Sequence, residues 1–143
     1  MIVLASDHAG FYLKEKLKPW LFKNEVQFFD IGAVSYEKLD SYVAYGKKAV
    51  DYFLKNCDIK KDKLVLICGS GVGMNIVANR NEKIRAVLAN TKKQAVQGRQ
   101  HNDCNCLCIG ARNINFLKAK NIIKTFLQTE FLGEKYLDRI NEI

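Results

Sequence analysis

The sequence predicts an α/β fold: a three-layer α/β/α sandwich with a five-stranded parallel sheet at its centre and a short helix at its C-terminal end. Three observations carry this. Largely apolar runs of four residues recur at 2–5, 26–29, 64–67, 85–88 and 106–109. Between them lie longer stretches whose apolar residues return at helical spacing. The joints are short and mostly polar or glycine-bearing, so strand and helix alternate along the whole chain, which calls for parallel strands with helices on both faces. At 143 residues this is one domain, residues 1–143. A chain of that length buries about 68–70% of its unfolded surface and folds without disulfides or a structural metal.

Ile2 to Ala5 opens the chain as a buried strand, and Phe11, Leu13, Leu17, Trp20 and Leu21 mark a helix from about Gly10 to Lys23. Pro19 lies inside that pattern and is expected to kink the helix or remove one of its bonds. Val26 to Phe29 is the second strand, closed by Asp30-Ile31-Gly32, and residues 33–41 form a loop. Tyr42 to Leu54 is the second helix, with Val43, Ala49, Val50 and Phe53 facing inward. A polar connection leads to Leu64–Ile67, a continuous apolar run of the kind that is buried on both faces, and it ends in Cys68. A helix follows at 72–79, a strand at Arg85 to Leu88, and a helix capped by Thr91 that ends near Arg99, with His101-Asn102-Asp103 as a loop. Cys106 to Ile109 is the fifth strand. Phe116 to Leu127 is a long closing helix, Gly133 breaks the chain, and Glu134 to Ile143 is a short charged helix. The sheet is Rossmann-like in its alternation.

The net charge of +8 permits an anionic partner. The lysines are scattered over many segments, and no RNA-binding or helix-turn-helix signature accompanies them, so small anions are expected and nucleic acid is not. No apolar run reaches the length that spans a bilayer. Five cysteines are present, an odd number, and Met1 runs straight into a strand with no signal segment. Free thiols in a reducing cytoplasm are expected. Cys104, Cys106 and Cys108 alternate as one face of a strand would, too close together for ordinary tetrahedral zinc spacing, so no metal is expected.

The most informative stretch is Cys68-Gly69-Ser70-Gly71-Val72-Gly73. A strand, a glycine-rich turn and a helix start bring several N–H groups into one small volume, with the helix N-terminus adding positive charge. The occupant is either a bound phosphate or an anion formed only during a reaction, such as an enediolate. Cys68 favours the second, because a thiol at a helix N-terminus is expected to have its pKa lowered toward neutrality. The plainer reading, a small apolar residue ending a strand before a tight turn, stands beside it. The spacing is neither Gly-x-Gly-x-x-Gly nor a P-loop, which weighs against a non-catalytic nucleotide- or phosphate-binding module.

In parallel sheets ligands bind beyond the carboxyl ends of the strands. Asp7 and His8 fall there after the first strand, Cys68 to Gly73 after the third and Arg112 after the fifth. Asp7 reads equally as a cap of the following helix, and His8 as a surface side chain. His101 and Asn102 precede the fifth strand, so the rule does not place them with the others.

Ser6-Asp7-His8-Ala9-Gly10, Cys68 to Gly73, Ala78-Asn79-Arg80, Arg99-Gln100-His101-Asn102 and Gly110-Ala111-Arg112 together resemble the signature segments of ribose-5-phosphate isomerase type B, in that family's order and spacing. The resemblance covers nearly the whole chain, and the wider family includes allose-6-phosphate and galactose-6-phosphate isomerases. It implies an aldose–ketose isomerase of the pentose phosphate pathway, working through a cis-enediolate without metal or cofactor. By the same resemblance Cys68 is the base that moves a proton between C2 and C1, and Gly69, Gly71, Val72 and Gly73 surround the oxyanion. Ser70 hydrogen-bonds within the site and His101 opens the furanose ring. Asp7 and Asn102 orient hydroxyls, while His8, Arg112, Lys135 and Arg139 lie near the phosphate. It also implies a homodimer, or a dimer of dimers, with His101, Asn102, Lys135 and Arg139 reaching the partner's cysteine pocket. A six-carbon sugar phosphate is the alternative substrate. Two departures stand out: Lys135 replaces a common Arg, and Ser41-Tyr42-Val43 stands where the family commonly has Asp-Tyr-Pro. Asp40 is one position early, and neither it nor Ser41 receives a role.

Overall fold

A computed structural model describes all residues from Met1 to Ile143. Its five strands are β1 (Ile2–Ser6), β2 (Phe28–Asp30), β3 (Lys63–Cys68), β4 (Ala86–Leu88) and β5 (Cys106–Gly110). They form one parallel sheet in the order β2-β1-β3-β5-β4. The helices are α1 (His8–Lys23), α2 (Tyr42–Asn56), α3 (Val72–Ala78), α4 (Lys92–Asn102), α5 (Phe116–Gln128) and α6 (Lys135–Ile140).

The alternation of side chains along each strand builds two cores, one per face. Ile2, Leu4, Val65, Ile67, Leu107 and Ile109 pack against α1, α4 and α5. Val3, Ala5, Leu64, Leu66, Cys68, Cys106 and Cys108 pack against α2 and α3. This is the expected three-layer sandwich, and the fully buried β1, β3 and β5 are why those runs read as continuously apolar. No helix is long and apolar enough to cross a membrane.

Three expectations change and one narrows. Of the two outcomes expected at Pro19, α1 shows the milder: it is continuous, lacking only the proline's own N–H bond, because Pro19 sits on the exposed side while Leu13, Leu17 and Leu21 anchor the opposite stripe to the sheet. β2 lies at Phe28–Asp30 and not at 26–29. Its polar end is masked in the sequence: Asp30 pairs with the fully buried ammonium of Lys14 and accepts from the Gly32 N–H at 2.9 Å. α4 continues to Asn102, so His101 and Asn102 form its last turn. Asp103 then closes the helix in the left-handed region (φ 42°), held by Arg99 Nη1 at 2.7 Å and Arg85 Nη2 at 2.9 Å. Finally, Cys104 precedes β5 and packs in the core on the α1/α4/α5 side, whereas Cys106 and Cys108 share the other face, with their sulfurs 4.0 Å apart. All five cysteines are free thiols.

Candidate active site

The three central strands of the sheet are β1, β3 and β5, and their carboxyl ends carry the three segments singled out by the sequence. Ser6 pairs with Ile67 and Cys68 with Gly110. Asp7–His8, the glycine turn and Arg112 therefore emerge side by side and line one cavity of about 410 Å³. Two backbone bonds tie the last two segments together: Ala111 N–H donates to Cys68 O at 2.8 Å and Arg112 N–H to Gly69 O at 3.0 Å.

Cys68 ends β3. It is only 4% exposed, yet it forms part of the cavity wall. The Gly71 N–H donates to its sulfur at 3.2 Å, and Gly71 itself takes a left-handed backbone (φ 81°) at the cap of α3. The thiol is not pulled toward neutrality. Burial raises its pKa above the ordinary value, bonds from the Met74 and Gly71 N–H groups pull it down, and the charges of Asp7 and Cys108 add to the rise. Desolvation outweighs the helix N-terminus, so the unliganded site holds a protonated thiol near neutral pH. Ser70 is exposed beside it, and its Oγ accepts from Val72 N–H at 3.3 Å.

Both readings of Asp7 hold at once. Its Oδ1 accepts from Gly10 N–H at 3.0 Å and so caps α1, and the same residue lines the cavity. Burial is the largest influence on its carboxyl and raises its pKa. Arg112 lies with its guanidinium against the main chain of Gly69, where a Cβ would sit 3.1 Å from Cζ, and it is exposed at the mouth. The cavity thus offers a sulfur, backbone N–H groups, a carboxylate, an imidazole and a guanidinium.

His101, Asn102, Lys135 and Arg139 do not line this cavity. α4 runs antiparallel to the strands, so its last turn lies at their amino ends, opposite the Cys68 pocket. There the His101 ring stacks on Tyr136 (centroids 4.6 Å apart, 10° between planes), with Lys135 Nζ 5.3 Å and Arg139 Cζ 5.7 Å from the same ring. The Asn102 carbonyl accepts from Arg85 Nε at 2.9 Å.

Three residues were missed. Tyr42 lines the cavity and packs against Gly73, whose added Cβ would meet the ring at 2.5 Å. Tyr136 carries the His101 stack. Asp40, given no role from the sequence, accepts the His8 backbone N–H at 3.0 Å and lies 2.5 Å from His8 Nδ1. Ser41 is likewise not idle: it caps α2, its Oγ accepting from Ala44 N–H at 3.3 Å. The signals for Asp40 were an acidic residue just ahead of a helix cap and its place one position before the Asp of the resembled pattern. Asp7, His8 and Asp40 place ligand-type atoms within 4.8 Å of one another, but His8 Nδ1, Asp40 Oδ1 and Asp7 Oδ1 are already engaged as described.

The chain matches known proteins along nearly its full length. The profile of the Ribose/Galactose Isomerase family matches residues 2–143. A putative sugar phosphate isomerase of Rickettsia typhi is 37% identical over 142 residues, 99% of this chain and 96% of the relative. Ribose-5-phosphate isomerase B of Escherichia coli is 34% identical over 142 residues, 99% of this chain and 93% of that protein. Among solved structures, a ribose 5-phosphate isomerase of Thermotoga maritima superposes with a TM-score of 0.90 at 41% identity, covering 99% and 94% of the two chains. Ribose-5-phosphate isomerase B of Mycoplasma genitalium with bound ribulose-5-phosphate superposes with a TM-score of 0.92 at 33% identity, covering 99% and 91%. The chain belongs to the ribose/galactose isomerase family.

Proposed function

We propose that this enzyme, an aldose–ketose isomerase by its family, interconverts ribose 5-phosphate and ribulose 5-phosphate through a cis-enediolate, needing no metal or cofactor, as a step of the pentose phosphate pathway. The observation that carries the reading is the Cys68 sulfur in the wall of a cavity whose mouth holds Arg112. The Mycoplasma genitalium relative, solved with ribulose-5-phosphate, supports the substrate.

In this reading Arg112 and His8 receive the phosphate, which sets the sugar carbons over Cys68. The thiolate removes the C2 proton, electrons move onto the C1 carbonyl oxygen, the hydroxyl proton of O2 passes to O1, and the sulfur returns its proton to C1 as the C2 carbonyl forms. Main-chain N–H groups of the 69–73 turn face the developing oxyanion, and each such donor is worth about 3–4 kcal/mol in comparable sites. Asp7 orients a hydroxyl. His101 opens the furanose ring, Asn102 assists it, and Lys135 and Arg139 add charge at the phosphate. Those four groups sit at the other end of the sheet, so they act in the pocket of a second copy. The working form is then a homodimer with the site at the interface.

Incubation with ribose 5-phosphate in deuterated water tests this. The expected result is ribulose 5-phosphate with deuterium at C1, and a markedly slower reaction with allose 6-phosphate. Faster turnover of allose 6-phosphate moves the assignment to six-carbon substrates. Binding of either sugar phosphate with no exchange and no ketose overturns the isomerase reading.

A further inference from the structure

Asp40 goes unused in the mechanism above, and the geometry of its pairing with His8 constrains how the site takes a phosphate. One oxygen of Asp40 receives two contacts, the His8 main-chain N–H at 3.0 Å and the ring at Nδ1, 2.5 Å away. An ionised carboxylate only accepts hydrogen bonds, so Nδ1 carries the hydrogen. The Asp40 side chain is 10% exposed and that of His8 22%. The pair is therefore poorly screened, and the ring is further fixed edge-on by Tyr36 at 6.0 Å. Nε2 is left as the ring's only unclaimed nitrogen, and His8 lines the cavity. A neutral ring locked this way presents a bare lone pair, which repels a phosphate dianion.

We propose that Asp40 is a positioning residue that locks His8 in its Nδ1–H form and thereby makes phosphate recognition in this cavity proton-linked: the phosphate is held together with one proton, on Nε2. The proton comes with the ligand. A phosphate monoester gives up its last proton near pH 6. As the monoanion enters, its P–O–H passes that proton to Nε2, leaving a dianion against an imidazolium backed by the Asp40 carboxylate. The other charged and titratable groups around the ring are Asp7 and Arg112, with the Cys68 thiol, Tyr36 and Tyr42 beside them. Arg112 supplies fixed positive charge at every working pH. This inference rests on the phosphate role given to His8 above.

The chain has two histidines, which makes the test direct. Nitrogen-15 histidine spectra, with His101→Asn identifying the second ring, are expected to show His8 in the Nδ1–H form. Calorimetric binding of inorganic phosphate in two buffers of different ionisation enthalpy is expected to show one proton retained per phosphate. Affinity is then expected to fall as pH rises, by up to about tenfold per unit. In Asp40→Ala the ring is free to present Nε2–H to a dianion, so the proton count and pH slope are expected to drop toward zero. Should Asp40→Ala fail to fold, Asp40→Asn serves: its amide oxygen keeps the tautomer but removes the charge, and phosphate is expected to bind more weakly at each pH. With ribose 5-phosphate, either variant is expected to alter KM and its pH dependence while kcat stays within about threefold. An Nε2–H signal in the parent protein, or an unchanged pH slope in Asp40→Ala, overturns the proposal. The spectra and the phosphate binding require no turnover, so failure of the isomerase reading is visible separately.

Discussion

Replacing Cys68 with alanine is expected to lower kcat by at least about 10²–10⁴-fold, the range that a positioned base contributes, while the protein remains folded. The sulfur touches the Gly71 N–H and the inner face of the α2/α3 core. Removing one buried atom there costs about 1 kcal/mol, and the sheet beneath is otherwise unchanged. Ketose formation measures the first effect and a thermal melt the second. Near-full activity in a folded Cys68→Ala protein removes the base from the mechanism. The same sulfur sets the expected pH profile. Only the thiolate abstracts a proton, and burial raises the pKa of this thiol above its ordinary value. The thiolate fraction therefore grows with pH across the neutral range, and the isomerisation step is expected to quicken from pH 7 to 9. Burial also makes each thiolate a stronger base. The proton-linked phosphate step runs the other way, so kcat, measured with the site saturated, shows the rise more cleanly than kcat/KM does.

The second large effect is expected from Gly71→Ala. At φ 81° the backbone is left-handed, and a Cβ there would lie 2.4 Å from Leu88 Cδ1 and 2.9 Å from the Gly110 nitrogen. The backbone conformation alone costs a side chain about 1–2 kcal/mol. Leu88 can swing away, but the Gly110 main chain belongs to β5 and cannot. The turn must open, for a total of about 3 kcal/mol, or about 10 °C in melting temperature for a domain of this size. Opening the turn also withdraws the Gly71 N–H from the Cys68 sulfur, so kcat is expected to fall by about 10²-fold as a donor is misplaced. Gly133→Ala is the control: it too has positive φ (68°), but nothing lies within 4 Å of its Cβ, so only the backbone cost of about 1 kcal/mol applies. Equal losses in the two variants would show that β5 does not confine the turn.

What the sequence revealed and what it hid divide along physical lines. The buried runs of β1, β3 and β5 are apolar from end to end, so the parallel sheet was legible, though not the order of its strands. So were the segments leaving those strands, because a thiol and three glycines at a strand end are unusual enough to notice. β2 was displaced because Asp30 looks like a loop residue until its partner, the buried Lys14, is seen. α4 was cut short because its last turn is held by charges, Arg99 and Arg85 on Asp103, which leave no hydrophobic period. The lowered thiol pKa was inferred from the helix N-terminus alone. How deeply Cys68 is packed depends on α2 and α3 folding over it, which no local pattern contains. Asp40 was given no role because it stands one position before the Asp of the resembled pattern; its actual place depends on a loop that crosses back from β2 to the end of β1.

The Cys68 pocket and the His101–Tyr136 stack lie at opposite poles of the sheet. On the two-copy reading a lone chain has the base without the ring-opener. Specific activity is then a property of concentration: it should collapse on dilution below the dissociation constant of the pair, and equal mixing of Cys68→Ala with His101→Asn chains should rebuild one sound pocket in each hybrid. Catalysis by this protein would begin with an encounter between two copies.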